Sequence, residues 1–357
     1  MTTSEVLNFT EMPIVDNGIE KFEFHEYEPI NGQLVKADGA AYANTDVVAL
    51  TNNGIMHLFS RITCELSNQD IEAVYYPAQG LNQLWYKDIT TTAVLADNLG
   101  FALKQAYIIQ KPTTKGTFSF CVPLRHIFGF CDDYDKVIYG LKHTISLVRQ
   151  SDDDAIFKLA GVAAGKVNLN KISLFMLHVL PADAEKFKLY KQIESKVTLP
   201  VSFRARQCET IAVPQATSFS WRLSVKTSPE NQRSIIVGFQ TSKSGDQNGN
   251  PSIFDHCVLK NMYIMLNQER YPAVDYNLSF PNQQFSRAYR EAAVFNEKFY
   301  VMNELITHCN IAPSDYKDLY PLMVFDVSKQ IERLKSSTID AQIKATFNSN
   351  VPANTQA

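Results

Sequence analysis

The chain has 357 residues, of which 45% are hydrophobic, and this is enough material for two packed domains. Its formal net charge is −3, with 34 basic and 37 acidic residues, which argues against a protein that coats nucleic acid through bulk positive charge. No stretch approaches the roughly 20 apolar residues of a membrane-spanning helix, and the polar first 20 residues show no signal-peptide pattern.

Strand patterns dominate the first half of the chain. Phe22 and Phe24 alternate with Glu23 and His25, and this period of two is typical of a half-buried strand. Turn-forming residues separate the later apolar runs. The strands predicted in this half are, in chain order, Lys21–Tyr27, Asp46–Leu50, Leu58–Leu66, Thr117–Val122, Lys142–Val148 and the strongly apolar Ile172–Leu180.

Helical patterns are few. A helix is predicted from Ala184 to Glu194, because Phe187, Tyr190 and Ile193 fall on one side at three-residue steps. It lies midway along the chain, so we interpret it as a connector between two domains. The other predicted helices are Leu81–Tyr86, Thr91–Gln105 and the long Gln283–Leu305, for which Asn282 is the expected N-cap.

Strand patterns resume after the connector. Between them, the stretch from Ser244 to Pro251 is rich in Gly, Asp and Asn and predicts an exposed loop. The acidic run Asp152–Asp154 predicts a solvated loop or a charged cap, with a metal site as the alternative. The strands predicted in this half are Val197–Ala205, Ser218–Val225, Ser234–Phe239, Cys257–Leu266, Leu322–Val327 and Thr338–Phe347.

The two halves of the chain repeat each other. Pro321 follows Pro123, and Ile343 follows Ile145, by the same 198 residues, and each pair lies in matching sequence patterns. This offset indicates two similar β domains in tandem. The partner of the strand Ile172–Leu180 falls beyond Ala357, so the second domain is expected to lack its closing strand and to end in a polar tail. Either further chain or another segment is then expected to fill that place.

No local catalytic motif is present. The seven histidines form neither HxH nor HExxH, and the chain has no G-x-S-x-G elbow, Walker loop or G-x-G-x-x-G. The six cysteines are scattered without a CxxC pair, which favours reduced thiols in an intracellular setting. The sequence therefore predicts no catalytic residues, no cofactor-binding residues and no metal site, and we expect no enzyme activity.

Several segments resemble the double jelly-roll major capsid proteins of viruses. The resemblance is to the hexon-like proteins of Polinton/Maverick elements, adintoviruses and related viruses of eukaryotes, and it spans about Lys21 to Phe347. Its motifs are Asn53–Ile62, Pro123–Phe130 and Leu141–Arg149 in the first half, and Ser234–Gln240 and Val258–Asn267 with Tyr271-Pro272 in the second.

The resemblance implies an all-β fold: two tandem jelly rolls, or double jelly roll, with a few inserted helices. The implied domains are an N-terminal arm at residues 1–20, a first jelly roll at 21–183, the connector helix at 184–195 and a second jelly roll at 196–357 that lacks its last strand. In this interpretation the loop Thr241–Pro251 makes tower-like contacts above a shell.

The resemblance also implies partners. It points to a homotrimer that contacts neighbouring capsomers and minor capsid or penton proteins in an icosahedral virion assembled inside the host cell. We expect no direct sequence-specific binding of nucleic acid. The polar arm at residues 1–20 either touches neighbours or an internal membrane beneath the shell, or it is disordered.

Two alternative functions stay open at this stage. One is a domesticated jelly-roll binding module that recognises carbohydrate or protein, which saturable binding without assembly would favour. The other is a cupin-like metal enzyme. Elemental analysis that finds no stoichiometric metal would exclude this second alternative.

Overall fold

The computed structural model describes most of the chain. The predicted helices at residues 81–86 and 91–105 lie outside the described part, and so does the arm up to residue 18. The described residues are 19–25, 30–43, 46, 48–51, 54–80, 117–120, 122, 124–196, 201–224, 233–267, 269–300, 312–328 and 340–357.

Short strands make up most of the regular structure in this part of the chain. The strands are β1 (Ile19–His25), β2 (Ile30–Lys36), β3 (Val48–Leu50), β4 (Phe59–Leu66), β5 (Gln69–Tyr75), β6 (Thr117–Phe120), β7 (His143–Arg149), β8 (Ile156–Lys158), β9 (Gly165–Lys171), β10 (Met176–Pro181), β11 (Ala212–Val213), β12 (Ser218–Arg222), β13 (Ser234–Val237), β14 (Gln240–Thr241), β15 (Leu259–Leu266), β16 (Glu269–Tyr271), β17 (Met323–Asp326), β18 (Ala341–Phe347) and β19 (Thr355–Gln356).

The helices are few and mostly short. A single 3-10 turn, Met56–Leu58, leads into β4. The α-helices are α1 (Pro77–Gly80), α2 (Leu124–Ile127), α3 (Gly129–Asp133), α4 (Asp183–Glu194), α5 (Ser286–Tyr300) and α6 (Pro313–Leu319).

The first half of the chain forms antiparallel sheets over one apolar core. The sheet orders are β5-β4-β7, β6-β2-β9, β3-β8 and β1-β10. Strand β4 buries Ile62, Thr63 and Cys64 in succession, so both of its faces are covered there. The largest fully buried side chains of this half are Leu34, Leu58, Ile62, Phe128 and Ile156.

The second half forms its own sheets and its own core. The sheet orders are β12-β18-β15-β16, β11-β19-β14 and β13-β17. Helix α5 adds an apolar stripe to this core, because residues three and four apart lie on one face of a helix. The stripe consists of Phe285, Ala288, Ala292 and Phe295.

The duplication seen in the sequence has a counterpart in strand pairing. In the first half β4 lies between β5 and β7, and Cys64 is directly opposite Ile145. In the second half β15 lies between β16 and β18, and Ile264 is directly opposite Ile343. The same hairpin therefore pairs with the same later strand in both halves.

Three local predictions are wrong. Residues 201–205, the described part of the predicted strand Val197–Ala205, form no strand, because contacts with the first half hold this segment instead. Residues 172–175 are likewise not strand, and β10 begins only at Met176. Helix α5 begins at Ser286, so Asn282 lies too far upstream to be its N-cap.

The C-terminal residues pair with other strands and do not form the expected polar tail. Thr355 in β19 lies opposite Val213 in β11 and opposite Thr241 in β14. The hydroxyl oxygens of Thr355 and Thr241 are 2.9 Å apart, and Thr355 is 1% exposed. The polar composition of this segment did not predict β19, because polar side chains that hydrogen-bond to one another can be buried in a sheet.

Candidate functional site

The segment at residues 203–206, which follows the connector region, lies against helix α3 of the first half. A β-carbon added to Gly129 would sit 1.6 Å from the main-chain oxygen of Arg204. Only a residue without a side chain permits this approach. The Phe203 ring meets the Phe130 ring edge-on, with centroids 5.5 Å apart. We call this contact the hinge junction; it consists of Glu72, residues 129–133 and residues 203–206.

Glu72 brings a buried carboxylate to the hinge junction. It points from β5 to the start of α3, where its oxygens accept hydrogen bonds from the main-chain N–H of Gly129 at 3.2 Å and of Phe130 at 2.9 Å. Its side chain is buried, with 5% of the residue exposed. Burial raises the pKa of Glu72, while the N–H groups of Phe130 and Gly129 and the charge of Arg206 act in the opposite direction.

Arg204 and Asp133 form the charged part of the same junction. The guanidinium Nε and one terminal nitrogen of Arg204 donate to the Asp133 carboxylate at 3.0 and 2.6 Å, and the Arg204 main-chain N–H donates at 2.6 Å. A bidentate pair fixes orientation as well as distance. The hydrogen bonds from Arg204 lower the pKa of Asp133.

A second contact joins the halves through the loop at residues 243–250. Gln247 is buried, with 5% of the residue exposed. The main-chain N–H of Gly165 donates a hydrogen bond to Gln247 Oε1 at 2.7 Å. In return Gln247 Nε2 donates to the Gly165 carbonyl at 2.8 Å. The main-chain N–H of Lys158 donates to the Gln247 carbonyl, also at 2.8 Å. We call this contact the loop junction; it consists of residues 152–165 and 243–250.

The acidic run Asp152–Asp154 belongs to the loop junction. Asp154 accepts a hydrogen bond from the Gly245 N–H at 2.7 Å, and Asp153 accepts one from Gln247 Nε2 at 3.2 Å. Asp152 accepts from the Val167 N–H at 2.9 Å and pairs with Arg149. The run is a loop, as predicted, but its residues are half-buried and their carboxylates are hydrogen-bonded instead of simply solvated. Asp153 and Asp154 bond to the second half, whereas Asp152 bonds within the first.

The predicted exposed loop from Ser244 to Pro251 is a loop in the structure, but Gln247, Asn250 and Pro251 within it are buried. Loop composition gave the correct local structure, because the stretch consists of turns without strand or helix. It could not show that Gln247 reaches a glycine 82 positions away. Nothing in the sequence around Gln247 indicates that its side chain contacts Gly165.

The histidines and cysteines are spread through both halves. His57 is 2% exposed and its burial lowers its pKa to about 3. His256 stacks on Phe280 with ring centroids 4.7 Å apart, and its Nδ1 accepts the N–H of Val258. Among the residues that the structure describes, no three His, Cys, Asp or Glu side chains are grouped closely enough to hold a metal ion.

Large apolar side chains remain exposed along β10 and the connector helix α4. In β10 Leu177 and Leu180 are 47% and 43% exposed. In α4, which has no buried residue, Phe187 is 75% exposed. The strongly apolar strand predicted at Ile172–Leu180 therefore presents several of its large side chains to solvent. We call the exposed apolar side chains of α4 the apolar surface; its members are Phe187, Tyr190 and Ile193.

The apolar surface extends to a neighbouring loop of the first half. Tyr139 is 52% exposed, and its ring meets that of Tyr190 at a centroid distance of 5.8 Å. Soluble monomers rarely expose large contiguous apolar areas without a partner. No helix within the described residues is both long and apolar enough to cross a membrane.

Duplicated β sheets, separate cores and two polar junctions define a tandem β-sandwich protein whose halves form one block. The sequence model of the double jelly roll-like domain family matches residues 48–357. The chain belongs to this family. The predicted fold class, two tandem jelly rolls with a few inserted helices, is thereby confirmed. No curated protein matches the chain.

Solved structures of viral capsid proteins share a distant likeness with the chain. The capsid of the virus PBCV-1 is 12% identical, over 97% of this chain and 90% of that chain, with a TM-score of 0.41. The Faustovirus major capsid protein is 11% identical, over 91% and 74%, with a TM-score of 0.42. The mavirus major capsid protein is 9% identical, over 95% and 82%, with a TM-score of 0.40. The assignment to the family rests on the family model.

Proposed function

We propose that this protein is a structural major capsid protein that assembles as pseudo-hexagonal homotrimers into an icosahedral shell. Two jelly rolls in each of three chains give six barrels, which is the number a hexagonal tile requires. The role is structural, with no catalytic chemistry. The proposal includes the finer resemblance to the hexon-like proteins of Polinton/Maverick elements and adintoviruses.

The apolar surface is the observation that carries the proposal. Its side chains follow one another at three-residue steps along α4, from Phe187 to Ile193, and each is at least 45% exposed. Covering such side chains stabilises a complex by roughly 25 cal/mol for each Å² of apolar area removed from water. A second copy of the chain is the occupant that a self-assembling protein supplies.

The two junctions support the proposal in a second way. A capsomer must keep its two barrels in one relative orientation, because every contact with a neighbouring capsomer depends on that orientation. The halves are joined by buried polar groups at two separate places: the main-chain N–H of Arg206 donates to Glu72 at the hinge junction, and Gln247 binds Gly165 at the loop junction. Buried and fully paired polar groups specify one geometry more sharply than apolar packing does.

The domain division and the partners form part of the proposal. The domains are the arm at residues 1–20, the first jelly roll at 21–183, the connector at 184–195 and the second jelly roll at 196–357. Neighbouring capsomers and minor capsid or penton proteins are the proposed partners. The proposed location is the virion, after assembly inside the host cell.

Electron microscopy of the purified full chain tests this function. We expect particles of uniform size with threefold outlines and six density lobes, and closed shells as the protein concentration rises. Particles containing one chain at all concentrations and salt conditions would contradict the proposal. A glycan array and a pull-down on the same sample then ask whether the chain is a binding module.

A further inference from the structure

Two cysteines meet at the hinge junction. Cys64 on β4 is directly opposite Glu72 on β5. The Glu72 carboxylate holds the N–H groups of Gly129 and Phe130, so the next residue, Cys131, is brought against Cys64. Both side chains pack in the same apolar core, and their thiols are hydrogen-bonded to each other. This pair could not be predicted from the sequence, because the two residues stand far apart in the chain.

We propose that Cys64 and Cys131 form a redox-sensitive pair that closes to an intramolecular disulfide when the chain meets a small-molecule disulfide such as oxidised glutathione. Two successive thiol–disulfide exchanges form the Cys64–Cys131 bond and break the S–S bond of the oxidant. Two molecules of the reduced small thiol leave, and they carry away the two protons and the two electrons. No metal and no other co-reactant is needed.

The two thiols differ in their exposure to solvent, and this assigns each of them a different role in the exchange reaction. Cys131 is partly exposed and can be reached from solvent, whereas Cys64 is only 6% exposed. The mixed disulfide with the small molecule therefore forms on Cys131, the thiol that the oxidant can reach. In the reduced pair the hydrogen bond between the thiols lowers the pKa of Cys64 and raises the pKa of Cys131, so the Cys131 thiolate that starts the exchange is scarce near neutral pH and the reaction should speed up as the pH rises. Cys64, packed in the same core, then attacks the mixed disulfide.

The disulfide would strengthen the contact between the two halves. It would tie β4 to α3, and α3 carries both Gly129 and Asp133, the residues on which Arg204 lies. Thiols stay reduced inside a cell and oxidise outside it. This last consequence rests on the proposed function: a shell assembled under reducing conditions would be stiffened after release.

The test uses the full-length chain, treated either with a reducing agent or with oxidised glutathione under native conditions. We expect the oxidised sample to lose two hydrogens in intact mass and to yield one cross-linked peptide pair containing Cys64 and Cys131. We also expect its thermal midpoint to rise by several degrees, because the bond closes a long loop. Reducing agent should reverse both changes.

Three variants make the test specific. Cys131→Ser and Cys64→Ser should each lose the cross-linked peptide and the thermal shift. Cys257→Ser is the matched control, because Cys257 is also 6% exposed but lies in the other core, and it should oxidise as the unaltered chain does. If Cys64→Ser folds poorly, the intact mass and the cross-linked peptide of the unaltered chain still test the proposal.

Two results would overturn the proposal. One is a native chain that keeps both thiols after prolonged oxidation, and the other is a cross-link that joins different cysteines. The readouts need no assembly. A chain that oxidises at this pair but never assembles would contradict the proposed function alone, and a chain that assembles without oxidising would contradict only the redox proposal.

Discussion

Gly129 and Arg204 approach each other so closely that a β-carbon on Gly129 would lie 1.6 Å from the Arg204 carbonyl oxygen. The two residues belong to different halves of the chain, so this approach sets how the halves meet. Two nearby groups reinforce it, namely the Glu72 carboxylate at the start of α3 and the Asp133 carboxylate on the Arg204 side chain.

Replacing Gly129 with alanine should push the two halves apart at the hinge junction. We expect Gly129→Ala to lower the free energy of unfolding by about 1–3 kcal/mol or more, because main-chain atoms must move. Urea titration followed by fluorescence measures this change. The control is Gly161→Ala, where the added atom meets open space but φ is +89°, so only a backbone penalty of roughly 1–2 kcal/mol applies.

These two variants should differ most in protease sensitivity. Gly129→Ala should speed cleavage near residues 203–206, whereas Gly161→Ala should leave that segment protected. Equal protection at this segment in both variants would show that the close approach does not hold the hinge junction.

Removing the amide of Gln247 should open the loop junction. Gln247→Leu leaves the buried N–H and carbonyl of Gly165 without partners, and we expect a loss of about 2–4 kcal/mol of stability. Hydrogen exchange at the Gly165 amide should become faster. Asn248→Ala is the control, since this exposed neighbour bonds only to the Lys158 ammonium among its contacts with the first half, and it should cost about 0.5 kcal/mol or less.

Unchanged exchange at Gly165 in Gln247→Leu would contradict the account of the loop junction. Faster exchange in both variants would instead place the stabilising contact elsewhere in the loop.

The hinge junction should weaken in acid through Asp133. Arg204 lowers the folded-state pKa of Asp133, so this pair contributes stability above the ordinary aspartate pKa of about 3.9. That contribution is lost as the pH falls through the lowered folded-state value. Asp133→Asn should therefore be less stable than the unaltered chain at neutral pH, and the difference should shrink in acid. A difference that is constant with pH, followed by thermal unfolding, would contradict this role.

His57 should make the first half sensitive to mild acid. Its folded-state pKa is lowered to about 3 by burial, so the unfolded chain binds the proton more readily. Stability should then decrease as the pH falls from about 6.5 toward 3, by about 1.4 kcal/mol per pH unit. His57→Gln should remove this part of the slope, whereas His178→Gln, at an exposed position, should retain it. The same slope in both variants would show that His57 is not the group responsible.

Local patterns were sufficient to predict the duplicated strands. Alternating side chains mark β18 most clearly, because this strand lies with one face on a core. The 198-residue offset between Ile145 and Ile343 predicted the repeat, and the structure places these residues in equivalent strands, Ile145 opposite Cys64 and Ile343 opposite Ile264. The helix predicted at Ala184–Glu194 is present as α4, which begins one residue earlier.

The junctions could not be predicted in the same way. The segment Phe203–Arg206 has the alternation of a strand, but the surface of α3 and the Asp133 carboxylate hold it in another conformation. The partner of Gln247 is distant in sequence and is a glycine, which carries no recognisable side chain. Tertiary contacts of this kind leave no periodic mark.

The apolar composition of β10 and α4 was identified from the sequence, but the sequence did not show what covers these side chains. The pattern of Phe187, Tyr190 and Ile193 predicts a face that must be covered, and nothing in the pattern tells whether the cover is the same chain or another. The structure leaves this face exposed within one chain. This is why assembly is a proposal here and the fold is a finding.

The most direct test of the account is the sedimentation of Phe187→Asp. Phe187 is 75% exposed, so the variant should unfold at the temperature of the unaltered chain, yet it should sediment as a single chain where the unaltered protein sediments as three. Gln192→Asp adds the same charge on the opposite, polar face of α4 and should still form trimers. Trimers of Phe187→Asp, or an unaltered protein that stays a single chain at every concentration, would contradict assembly through the apolar surface.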